Sequence, residues 1–192
     1  NVVLMTSTQM SNQNPATYVQ SAPEKVYEYI EDDLLYACDI LPYATDDQYR
    51  ESNDYRFSKG AALGLLTKVY ATWAGYPVKD ESKWEAAAKT ARILVESGKH
   101  GLLKDYEQLW KNTCNGTWDP TESLIEISFY SPTVSGNSDP VGRIGKWNGV
   151  KTTAIAGVRG SCAANVKVVH TFVLDWREDV SDIRRDLSIA NY

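Results

Sequence analysis

The sequence predicts a mainly α-helical chain with one short strand and long irregular loops. Three observations carry this. Apolar residues recur at helical spacing in three successive segments between residues 21 and 97. A single stretch, 123–130, alternates apolar and polar residues. Residues 131–165 follow neither period and are rich in Gly, Ser, Asn, Pro and Thr. At 192 residues the chain is long enough for one compact domain with a real core.

The first twenty or so residues are polar, contain Pro15, and read as a loop leading into a helix. Ser21 suits the N-cap, with Pro23 and Glu24 in the first turn and Glu24 at capping-box distance. Val26, Ile30, Leu34, Ala37 and Leu41 then mark one apolar face, ending at Pro42. The acidic cluster Glu31-Asp32-Asp33 falls mostly on the other face, where solvation is its expected role.

After a polar loop over 43–57, a second helix is expected from Ser58 to Ala74. Ala61, Ala62, Leu65, Leu66, Val69, Tyr70 and Trp73 give it a surface broad enough for two neighbours. Gly75 and Pro77 stop it. A third helix is expected over 82–97, with Trp84, Ala87, Ala88, Ala91, Leu94 and Val95 buried and Gly98 ending it. Large Trp and small Ala on paired helices are how tetratricopeptide-like (TPR-like) hairpins nest, although the connecting loop exceeds a strict 34-residue repeat. A short helix over 105–111 follows, then a half-buried strand with Ile125, Ile127 and Phe129 on one side. The expected organisation is one partial domain over 1–192. It comprises a helical TPR-like part at 20–112, a strand at 121–130, a variable loop region at 131–170 and a further segment at 171–192.

Net charge is −5, which argues against a nucleic-acid partner. Cys38, Cys114 and Cys162 are too scattered for a disulfide framework and read as buried free thiols. With only His100 and His170 available, no metal site and no cofactor are expected. No run of eighteen apolar residues is present in the sequence. The chain begins within an apolar run, Val2-Val3-Leu4-Met5, and its ends look like cuts through a larger protein. No nucleophile elbow, P-loop or dinucleotide fingerprint occurs. Both histidines read as structural residues, and no pair of carboxylates stands out for glycoside hydrolysis.

The remaining functional signal is aromatic residues in loops. Sugar rings present C–H faces that stack on Trp and Tyr, and polar neighbours bond their hydroxyls. The run Arg143-Ile144-Gly145-Lys146-Trp147-Asn148-Gly149 has this mixture, and Trp118 sits in a second such loop. Candidate ligand residues are therefore Trp147, Asn148, Arg143, Tyr130 and Trp118. For each ring the competing role is to pin its own loop to the core.

Several strings resemble, in order, the middle of SusD/RagB-family proteins. They are Val26-Tyr27 through Leu34 to Pro42, Arg56-Phe57-Ser58-Lys59-Gly60-Ala61-Ala62 through Tyr70, and Trp84-Glu85-Ala86-Ala87 through Gly98-Lys99-His100-Gly101-Leu102. Asp105-Tyr106 through Trp110 and Glu122-Ser123-Leu124-Ile125 follow, and Asp182-Ile183-Arg184-Arg185 resembles a later D-x-R-R string. Tyr55 stands where the family has Gly, and His100 where it has Tyr. No string is shared over 131–170.

The resemblance implies a SusD-like α superhelical fold, no catalysis and no cofactor. It implies a lipoprotein on the outer face of the outer membrane of Bacteroidetes-type bacteria, held by a lipid anchor absent from this chain. The expected partners are a SusC-like TonB-dependent transporter and an oligosaccharide or other nutrient. The first alternative is a TPR-type protein-interaction module presenting Tyr70, Trp73 and Tyr76 to a transporter or peptide. A glycoside hydrolase ranks behind both.

Overall fold

The computed structural model describes residues 2–6, 14, 16, 18–46, 55–127, 147–148, 150–156, 161–176 and 181–189. Its helices are α1 (Pro23–Ile40), α2 (Lys59–Ala74), α3 (Lys83–Glu96), α4 (Tyr106–Asn115), α5 (His170–Trp176) and α6 (Ile183–Ser188). The mainly helical class is as expected. Within the single partial domain expected over 1–192, the residues fall into two compact units. One comprises Asn1–Leu103 with Asn112–Glu126, the other Lys104–Lys111 with Ile127–Tyr192.

The first unit is built on α2, which packs on both α1 and α3. Ser58 caps α2 as expected, its Oγ accepting from the Ala61 N–H at 3.3 Å. Ala61, Ala62, Leu66, Tyr70, Trp73 and Ala74 are buried along it. Leu34 of α1 and Ala87 of α3 complete the central cluster, with Tyr27, Ile30, Cys38 and Phe57 packed around it. Trp73 stacks on Tyr27 with ring centroids 5.1 Å apart.

Several sequence expectations are corrected here. Ser21 is not the N-cap of α1; Ala22 is, with no side-chain bond. The Ser21 hydroxyl instead accepts from the Leu4 N–H, while its own N–H donates to the Val2 carbonyl. Its hydrogen bonding is engaged in holding the N-terminal segment against the helix entry. The buried stripe of α3 is as expected at Ala87, with Ala91 and Leu94 half-buried. Trp84, Ala88 and Val95 are exposed instead, Thr90 is buried, and Lys83 pairs with a carboxylate on α1.

That carboxylate is Glu31, expected to be solvated. It lies 3.1 Å from Lys83 Nζ and accepts from the Tyr70 hydroxyl at 2.7 Å. Lys83 Nζ also sits 3.9 Å from the centroid of the Trp73 ring. One ion pair thus ties α1, α2 and α3 together at the edge of the aromatic core. Burial, and then the Glu31 carboxylate, push the Tyr70 phenol well above its ordinary value.

Behind α3 the chain folds back on itself. Gly98 takes a left-handed φ of 62°, which ends the helix. The His100 ring is within hydrogen-bond distance of the Pro120 carbonyl through Nδ1, at 2.9 Å. The Gly101 N–H donates to the Thr121 carbonyl, and the Leu103 N–H to the Glu122 carboxylate. His100 Nε2 lies so close to α2 that a Cβ on Gly60 would meet it at 2.1 Å. Gly60 is therefore a position of close approach.

Residues 123–127 form no strand, and Ile125 and Ile127 are exposed; 128–130 lie outside the described residues. Among the described residues no strand lies beside it, and an alternating stretch needs a partner to form a ladder. The one isolated bridge among the described residues is antiparallel, Thr152 to Cys162. The cysteines are free, but Cys114 is exposed and Cys38 and Cys162 half-buried, so buried thiols are not what the chain has. No described helix is long and apolar enough to cross a membrane.

The second unit is made of short pieces. Neither α5 nor α6 buries a residue. Asp105 caps α4, its Oδ1 accepting from the Glu107 and Gln108 N–H groups at 2.9 and 3.2 Å. The helix continues past the expected end at 111 to Asn115 and stops at Gly116, whose φ is 66°.

Candidate functional site

The second unit contains an open pocket of about 580 Å³ lined by Tyr106, Phe172, Asp175, Trp176 and Arg184. Tyr106 is the first residue of α4. Phe172, Asp175 and Trp176 come from α5, where the spacing of 172 to 176 puts both rings on one side. Those two rings meet edge to face with centroids 5.3 Å apart. Arg184 comes from α6.

One carboxylate organises the pocket. Asp182 caps α6, accepting from the Arg184 backbone N–H at 3.0 Å. Its two oxygens also take the Arg184 Nε–H at 2.8 Å and an Nη2–H at 2.6 Å, a two-point fork. The Trp176 indole N–H donates to the same carboxylate at 3.1 Å. The Arg184 guanidinium, helped by its backbone N–H and by Trp176, holds the Asp182 carboxyl well below the usual carboxylate range. The indole is thus fixed by a carboxylate that is itself fixed.

Tyr106 is placed from two sides. Its hydroxyl lies 3.2 Å from the Ser188 hydroxyl, and its ring meets Trp110 edge to face. Hydrogen bonding to Ser188, then to Trp110, lowers the phenol below its ordinary value, which makes it a better donor. Asp175 is exposed and lies at the same pocket. Among the described residues no cluster of His, Cys, Asp and Glu is arranged to hold a metal ion.

The residues singled out from the sequence lie elsewhere. Trp118 is buried, at 8% exposure, and tilts against Tyr55 with ring centroids 5.9 Å apart, in the first unit. A ring so covered has little face left for a ligand. Trp147 and Asn148 are exposed in the second unit, where the Trp147 carbonyl accepts from the Val166 N–H at 3.0 Å. Arg143 and Tyr130 lie outside the described residues. Tyr70 and Trp73 are buried in the first unit's core, while Tyr76 is exposed.

Sequence reasoning missed the pocket of Tyr106, Phe172 and Trp176. A signal was present: Phe172 and Trp176 stand one helical turn apart in a segment that also carries charge. Nothing local, however, connects that turn to Tyr106, some seventy positions earlier.

The described residues form a mainly α-helical chain built on a helical hairpin core. The chain is similar to a curated relative, a SusD-like protein of Bacteroides ovatus, to which it is 26% identical over 158 residues. The aligned region covers 77% of this chain and 28% of that relative, so the chain spans under a third of the relative's length. No family model matches the chain.

Proposed function

We propose that the chain is part of a nutrient-binding protein that captures oligosaccharides by aromatic stacking and passes them to a SusC-like TonB-dependent transporter. The parent protein acts at the outer face of the outer membrane, held there by a lipid anchor. The observation that carries the binding role is the pocket. It offers a fixed indole, a second ring, a phenol and an exposed carboxylate within one unit. Carbohydrate recognition needs that mixture: a flat apolar face for sugar C–H groups and polar groups for hydroxyls.

The family resemblance supports the role and the transporter partner. Among the alternatives, an interaction surface at Tyr70 and Trp73 is disfavoured by their burial. A hydrolase at the pocket is disfavoured by geometry, because both Asp182 oxygens are engaged by Arg184 and Trp176 and not presented to a ligand. The reading is therefore a binding protein and not an enzyme.

Calorimetry and affinity electrophoresis against plant, host and microbial polysaccharides test this reading. Trp147→Ala and Trp176→Ala are run beside the parent. Binding to at least one polysaccharide, weakened by one of the two changes, is the expected outcome. No binding to any saccharide would sink the reading.

A further inference from the structure

We infer that the pocket lined by Tyr106, Phe172, Asp175, Trp176 and Arg184 is a subsite for a neutral hexose unit and turns away uronic-acid units; this rests on the oligosaccharide-binding reading above. An arginine at an aromatic pocket ordinarily suggests an anion receptor. Here one edge of that arginine is already taken from within. Arg184 presents its Nε and Nη2 edge to Asp182 at 2.8 and 2.6 Å. The Asp182 side chain is only 14% exposed, and it also holds the Trp176 indole and the Arg184 backbone N–H. A sugar carboxylate that displaced Asp182 from the fork would leave this covered carboxylate short of its donors. It would also release the ring on which the sugar must stack.

With Asp182 and Arg184 cancelling, the charge left at the pocket is Asp175. It is exposed and makes no ion pair among the described residues. An ionised carboxylate is acceptor-only. It therefore takes hydrogen bonds from sugar hydroxyls and repels a second carboxylate. The Trp176 face, edged by Phe172, supplies the apolar platform, and the Tyr106 hydroxyl a polar group. Neutral hexoses satisfy all of these groups. Uronates meet repulsion from Asp175 and find the Nε/Nη2 edge of Arg184 already occupied by Asp182.

The test uses the chain with a panel of neutral gluco-, manno- and galacto-hexasaccharides, each paired with the same oligosaccharide oxidised to the carboxylate at C6, read by calorimetry at low salt. At least one neutral hexasaccharide should bind, and its oxidised partner at least tenfold more weakly. Asp175→Asn removes one exposed charge, should leave the circular dichroism spectrum unchanged, and should narrow that ratio at least threefold. Trp176→Phe keeps an apolar ring but loses the indole anchor, and should weaken neutral binding. Equal or tighter binding of the oxidised partner overturns the inference, as does a ratio that Asp175→Asn leaves unchanged. If saccharides bind but neither pocket variant matters, this inference fails and the binding reading survives. Should none of the saccharides bind, both fall together.

Discussion

The two units of this chain put their aromatic residues to different uses. In the first, Tyr27, Tyr70 and Trp73 lie in or against a core among three helices, and their polar atoms and faces are matched to Glu31 and Lys83. In the second, Phe172 and Trp176 stand on a seven-residue helix that buries nothing, and their rings line an open pocket. The difference teaches where stability and recognition reside. The sixteen-residue α2, with a helix on each side, buries its large rings Tyr70 and Trp73. A two-turn helix cannot do this, so any ring it carries is left for a ligand or for a partner. Most of the strings that resemble SusD/RagB proteins lie in the first unit, and there they sit against one another. Gly60 closely approaches His100, and the Glu122 carboxylate accepts from the Leu103 N–H. They describe a scaffold.

The sharpest way to break this contrast is to remove one large apolar side chain from each unit. Trp73→Ala should cost about 3–5 kcal/mol of stability, as for other buried aromatic truncations. Leu187→Ala, at an exposed position of α6, should stay within about 0.5 kcal/mol. Urea unfolding followed by circular dichroism measures both. Similar losses would erase the distinction between the units.

The inter-helix ion pair comes next in size. Lys83→Ala leaves the Glu31 carboxylate, 21% exposed, with only the Tyr70 hydroxyl as partner among the contacts described above, and should cost about 2 kcal/mol. Glu31→Gln in the same background should recover part of that loss, because the stranded charge is then gone. A double mutant as unstable as the sum of the two single changes would show that the pair acts independently of its burial.

A smaller effect tests the close approach of strings. Gly60→Ala should cost about 1–3 kcal/mol, because its Cβ would meet a ring positioned at Pro120. Gly64→Ala should cost less, since the atom in its way is the end of the Leu124 side chain, which can turn aside. Thermal midpoints rank the two.

The smallest expected effect is in the second unit and concerns pH. The Asp182 carboxyl is depressed in the folded chain, so whatever it contributes is fully present above the unfolded value, roughly 3.9, and is lost only as pH falls through the lower folded value. Saccharide affinity that depends on Trp176 should therefore be unchanged between about pH 7 and pH 5, well above the ordinary carboxylate range. Asp182→Asn should leave the thermal midpoint nearly unmoved and weaken saccharide binding. A steep loss of binding over that interval would mean that some other group controls the ring.

Much of the first unit was legible in the sequence. The spacing from Val26 to Leu41, the Ser58 cap and the Gly98 stop define three helices with bounds close to those observed. Other features were not legible, for a common reason. Ser21, Glu31 and Trp84 each had a local reading as cap, solvated acid and buried ring. Ser21 and Glu31 were overridden by residues far away in sequence, Leu4 and Lys83, and Trp84, beside that lysine, is exposed. The alternation at 123–127 failed as a strand because period two says only that a strand is possible, and pairing requires a partner.

The sequence by itself determined the helical hairpins, because amphipathic spacing and helix stops act within a few turns of chain. It also carries a similarity, at 26% identity over 158 residues, to a curated SusD-like protein. Only the tertiary structure decided which rings are buried and which face a pocket. Trp73 and Trp176 both stand near the end of a helix. They differ in whether two long helices close over the ring, and that is settled by contacts between residues far apart along the chain.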